Sequence, residues 1–160
     1  RGHDNGTAYF LHSAQPVRLA FGEMYKALAS GQVQGAENPW SNIVSQNVHT
    51  VQSHIMESNH GVLHYMLITS TRFWNSLPYA IRVELDDIIE EVTMAVNAEA
   101  EALNARDRAR IAASGKVRMV TLTAEQRAAW REAMLPVWNR YEEEIGADVI
   151  RAARAVNRAR

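Results

Sequence analysis

The chain has 160 residues, and its 17 Lys plus Arg against 18 Asp plus Glu leave a formal charge of -1. That balance gives no reason to expect nucleic acid or an anionic membrane as a partner. The absence of cysteine excludes disulfides and thiolate metal sites, and no apolar run approaches the roughly 20 residues that a bilayer-spanning helix needs.

Arg1 to Asn5 is polar and turn-like and opens no signal peptide, since no apolar segment of suitable length follows it. Ala8 to Leu11 is expected to close a short helix before Gln15-Pro16 breaks it. Phe21, Met24, Tyr25 and Leu28 follow the i, i+3, i+4, i+7 spacing of a helix with one buried stripe, and Gly31 stands where such a helix stops. Asn38-Pro39 then restarts a helix, with Asn38 as N-cap, Pro39 in the first turn, and Trp40, Ile43 and Val44 on the inner face.

The run Val62-Leu63-His64-Tyr65-Met66-Leu67-Ile68-Thr69 is short and apolar at nearly every position, which predicts a central strand covered on both faces. Ser76 and Pro78 mark the start of a long helix over about residues 78–114. Its apolar set, Ile81, Leu85, Ile88, Ile89, Val92, Val96 and Leu103, recurs at steps of three, four and seven, and Arg82, Glu84, Asp87, Glu90 and Glu91 take the outer face. A helix of that length is expected to span more than one lobe.

Val117 to Leu122 reads as a brief strand. Thr123-Ala124-Glu125-Gln126 is a capping box that opens another helix, with Trp130, Met134, Val137, Trp138 and Tyr141 inward and a kink at Pro136. Gly146 ends it and Asp148 caps a last helix, so that C-terminal helices fill about residues 124–158. Arg151, Arg154, Arg158 and Arg160 recur at helical spacing and read as a solvated face.

Glu37-Asn38-Pro39-Trp40, with Asn38 seventeen positions beyond Phe21, is generated by no simple helix or strand period and reads as a site. A carboxylate ligand needs a fixed cation, neutral donors and an apolar wall, of which these motifs offer the second and third. No metal site is expected: His60 and His64 are four apart, and on a strand that spacing is about 13 Å, too far to share one ion. Asp86-Asp87 and Glu90-Glu91 fall on an outer helix face, and no nucleophile stands beside a base, so neither catalysis nor a cofactor is expected.

Leu19-Ala20-Phe21-Gly22-Glu23-Met24-Tyr25-Lys26-Ala27-Leu28, followed by Gly31 to Pro39, resembles the DctP-type solute-binding receptors of tripartite ATP-independent periplasmic (TRAP) transporters. The resemblance continues through Ser58-Asn59-His60-Gly61, the apolar run Val62 to Ile68, Arg72-Phe73-Trp74-Asn75-Ser76-Leu77-Pro78 and Leu122 to Trp130, and covers nearly the whole chain from about Ala14. It implies an α/β, helix-rich fold: the C-terminal portion of a two-lobed periplasmic-binding-protein-like architecture, with a long lobe-spanning helix and the N-terminal half absent from residues 1–160. It implies a periplasmic, non-catalytic receptor for a small organic acid, with TRAP membrane permease subunits as partners and no nucleic acid.

Residue by residue, the resemblance places Phe21 at the family's cleft-lining aromatic and Asn38 at the asparagine whose amide meets the bound carboxylate. The family's principal carboxylate-clamping arginine belongs to the absent half. A second family arginine lies shortly before the Phe21 motif, but Arg1 is about three residues too close to Phe21 to take its role. Trp40, Asn59 and His60, with Tyr65, border the same motifs. Core packing for Trp40 and Tyr65, and backbone hydrogen bonding for Asn59 and His60, are the alternative roles, as helix capping is for Asn38. Glu37 would repel an anion and is expected to accept donors around its turn. The competing functional reading is an interaction or assembly module, a truncated chain that self-associates or pairs with a separately made N-terminal half.

Overall fold

The computed structural model describes residues 14–158, so the short helix expected at Ala8 to Leu11 lies outside the described residues. The chain divides into two compact units, one of Ala20–Val120 and one of Thr121–Arg160 together with the residues up to Leu19.

In the first unit, a 3-10 turn at Phe21–Glu23 runs directly into helix α1 (Met24–Ala29). Met24, Ala27 and Leu28 are buried on one face while Tyr25 is exposed. Gly31, at φ 75, ends the helix in the left-handed region that a residue without a Cβ enters at least cost. Met24 and Leu28 cluster with Val48, and Phe21, Val33, Ile43 and Val51 pack against them.

Helix α2 (Trp40–Ser45) begins one residue later than the sequence suggests. Pro39 is itself the N-cap, extended at ψ 157, and Asn38 does not cap the helix. The Ser41 N–H is satisfied instead by Asn104 Oδ1 at 3.2 Å, sixty-three residues away in sequence. Strand β1 (His54–Glu57) follows, with Ile55 and Glu57 half-buried and His54 and Met56 exposed. Four residues with charged or polar ends carry too little alternation to be picked out from sequence.

The central strand expected at Val62 to Thr69 is not formed: the segment has no regular structure and every residue in it is exposed. A strand needs a hydrogen-bonding edge to join. Here β1 pairs with β2 (Arg118–Thr121) in a two-stranded sheet, entered through the Arg118 N–H to Ser53 C=O bond at 2.9 Å, and the described residues contain no further strand. Helix α3 (Thr71–Ser76) is capped by Ser70, whose Oγ accepts the Phe73 N–H at 3.1 Å.

Helix α4 (Tyr79–Ala113) is 35 residues long, about 50 Å at the α-helical rise. It packs against α2. Ile111, near its C-terminal end, is fully buried. The expected inner stripe is largely open, with Ile81, Ile88, Val92, Val96 and Leu103 all exposed. Leu85 and Ile89 line a shallow apolar groove of about 430 Å³ with Leu67, Ile68, Phe73 and Trp74.

The second unit opens with the capping box. Thr123 Oγ1 accepts the Gln126 N–H at 3.2 Å, Gln126 Oε1 accepts the Thr123 N–H at 2.9 Å, and helix α5 (Ala124–Arg140) runs on through Pro136. The short helix α6 (Glu142–Ile145) stops at Gly146, whose φ of 100 turns the chain into α7 (Ala147–Arg158). Arg154 lies over the Trp138 ring at 5.3 Å from its centroid, and a groove of about 310 Å³ runs between Trp138, Tyr141, Ile145 and Ile150. Among the described residues no helix is long and apolar enough to cross a membrane.

Candidate functional site

All five residues singled out from the sequence, Phe21, Asn38, Trp40, Asn59 and His60, fall in the Ala20–Val120 unit. Phe21 is half-buried at the start of the 3-10 turn, against the Met24, Leu28 and Val48 cluster. Asn38 reaches the same cluster from the other side, its Nδ2 lying 3.4 Å from Met24 Sδ. Met24 therefore ties the aromatic and the amide together. From sequence it was legible only as one member of a buried helical stripe.

Both ends of the Asn38 side chain have partners of very different quality. Its Oδ1 accepts from Asn42 Nδ2 at 3.0 Å, while among the described residues its own amide group meets only the thioether, a weak acceptor. Asn42 Nδ2 also reaches the Tyr65 hydroxyl at 3.4 Å. Asn42 had no signal in the sequence, because Asn38 precedes the Pro39 N-cap and the two are not paired by the helical repeat. Trp40 is the first residue of α2 and is half-buried.

Glu37 and His60 meet, with Oε2 and Nε2 3.7 Å apart, and the other ring nitrogen of His60 is 2.6 Å from Ser58 Oγ. The contact joins the 37–38 turn to the segment after β1, so His60 stands beside the Asn38 motif. Asn59 is exposed at φ 47, a left-handed conformation that asparagine tolerates better than most residues.

The segment that carries Asn59 and His60 is anchored immediately upstream. Glu57 ends β1 and accepts two charge-assisted bonds from Arg108 on α4, one from Nε and one from Nη2 at 3.1 Å. This fork raises the Arg108 pKa above its ordinary value, through the hydrogen bond first and the charge of Glu57 second. Among the described residues no group of three His, Asp or Glu side chains is placed to hold a metal ion.

The described residues form a helix-rich chain with one two-stranded sheet and one long helix. The fold superimposes on a TRAP periplasmic solute-binding protein from Shewanella oneidensis, solved with bound succinate, at a TM-score of 0.93 and 38% identity, over 98% of this chain and 51% of that one. A second, from Pseudomonas aeruginosa with bound L-malate, matches at 0.82 and 47% identity, over 86% and 48%. The family model described as "Bacterial extracellular solute-binding protein, family 7" (DctP) matches residues 4–144, and the chain belongs to that family. It is a family of receptors, not of enzymes.

Among its relatives, the C4-dicarboxylate-binding periplasmic protein DctP of Vibrio cholerae is 41% identical over 144 residues, and that of Shewanella loihica 44%. In each case the match takes in 90% of this chain and 43% of the relative. The chain thus spans less than half the length of the curated relatives it matches.

Proposed function

We propose that this chain forms one part of a two-lobed extracytoplasmic receptor that captures a small organic acid and delivers it to a TRAP membrane permease. Phe21 supplies the apolar wall and Asn38 the neutral donor, with Trp40, Asn59 and His60 shaping the border. The cationic clamp for the carboxylate comes from the other part of the receptor. Solute that touches both parts favours the closed state by its extra contacts there, and closure follows from that difference in affinity. A C4-dicarboxylate is the preferred class, supported by the malate- and succinate-bound relatives. The observation that carries the reading is the Asn38 amide, whose acceptor end is engaged while, among the described residues, its donor end meets only Met24 Sδ.

A thermal-shift screen against mono- and dicarboxylates and sugar acids, run on this chain and on the full-length receptor that carries it, tests the reading. Stabilisation concentrated in the full-length protein, strongest with C4-dicarboxylates, is expected. Silence in both would overturn it.

One observation favours the assembly reading as well: Val62, Tyr65, Met66, Leu67 and Ile68 stand exposed in a row. Self-association of this chain would cover them. Light scattering on the chain alone decides, because a clean monomer at tens of micromolar removes that alternative.

A further inference from the structure

The donor character of Asn38 is itself held in place. An amide has two ends, and without a constraint it offers either to a ligand with equal ease. Asn42 removes that freedom, because its Nδ2 donates to Asn38 Oδ1 at 3.0 Å and so occupies the acceptor end. Asn42 Nδ2 also lies 3.4 Å from the Tyr65 hydroxyl, a group that donates as well as accepts and so suits either end of the Asn42 amide. Turning Asn38 over alone would set two NH2 groups against each other, and turning both amides over together would bring the Asn38 carbonyl oxygen against the lone pairs of Met24 Sδ, now 3.4 Å from Nδ2. The contacts with Asn42 and Met24 together therefore favour one orientation.

We infer that Asn42 is a positioning residue for solute recognition: it fixes Asn38 as a donor and so makes that place in the site selective for an oxygen acceptor such as a carboxylate. This rests on the reading that Asn38 meets the solute. The Met24 thioether holds the donor only weakly, so a carboxylate oxygen replaces it readily. Tyr65 enters as a neighbour of Asn42 and not as a solute contact.

The test has two arms, one of which needs no solute. With Met24 labelled at its ε-methyl, wild type shows a nuclear Overhauser contact between that methyl and the Asn38 side-chain NH2. In Asn42→Leu, which removes the donor without adding charge, that contact weakens or disappears as the amide turns over. An unchanged contact overturns the inference whether or not any solute binds.

The second arm is a calorimetric cycle with succinate on the full-length receptor. Asn42→Leu is expected to lower affinity at least fivefold in the wild-type background and less than twofold once Asn38 is alanine, because Asn42 acts only through Asn38. Equal losses in both backgrounds would show a merely structural residue and overturn the inference, as would no loss in either. If wild type fails to bind succinate, the proposed function falls and the first arm still decides what Asn42 does to Asn38.

Discussion

Thr123 and Glu125 make the clearest case for reading chemistry at the level of single residues. Thr123 Oγ1 accepts the Gln126 N–H, and Thr123→Ala is expected to cost about 1 kcal/mol, read as a lower denaturant midpoint with an unchanged slope. Glu125 lies in the same turn, and its carboxyl is held below its ordinary 4.5, chiefly by its own backbone N–H and next by the Thr123 hydroxyl. A carboxyl that titrates lower when folded than when unfolded adds stability above the unfolded value and loses it as pH falls through the folded one. Unfolding profiles of wild type and Thr123→Ala should therefore diverge at pH 7 and draw together below about pH 4.5. The capping box was legible because its Thr-x-x-Gln spacing is local. The role of Asn38 was half legible: the sequence offered a cap or a ligand contact, and the extended backbone of Pro39 removed the cap. No local pattern signals Asn104 capping α2 from sixty-three residues away.

At the level of elements, the long helix and the two helices around the motifs were marked by periodicity and by turn residues that act within a few positions. The run Val62 to Thr69 was misread because a strand is a property of its neighbours. The composition showed a segment fit to be covered on two faces, and nothing in it showed where the covering strands lie. If those strands belong to the rest of the receptor, Ile68→Lys lowers the melting temperature of the full-length protein and reduces self-association of this chain alone. An unchanged melting temperature in the full-length protein would show that the run has no partner there. The Glu57–Arg108 fork ties β1 to α4, and the Glu57 side chain is only 11% exposed. Arg108→Met is expected to speed amide exchange in β1 and at Ser58 to His60 while leaving α1 unchanged. Uniform acceleration would point instead to global destabilisation.

For the whole molecule, the decisive quantity is how binding energy is divided between the parts of a two-lobed receptor. A neutral amide and an aromatic wall orient an acid, while a charged clamp supplies a larger share: a hydrogen bond to a charged group contributes about 1.5 to 3 kcal/mol, or one to two decades in affinity. The family match shows what kind of protein the chain belongs to, and the chain spans 43% of the relatives it matches. Calorimetric titration of succinate and L-malate into the full-length receptor, as wild type and as Asn38→Asp, tests the account most directly. The substitution keeps size and sets a negative charge where the donor stood. We expect at least a tenfold loss of affinity with the melting temperature of the solute-free protein unchanged. Equal affinity in the two proteins would contradict the assignment of Asn38 to the solute site.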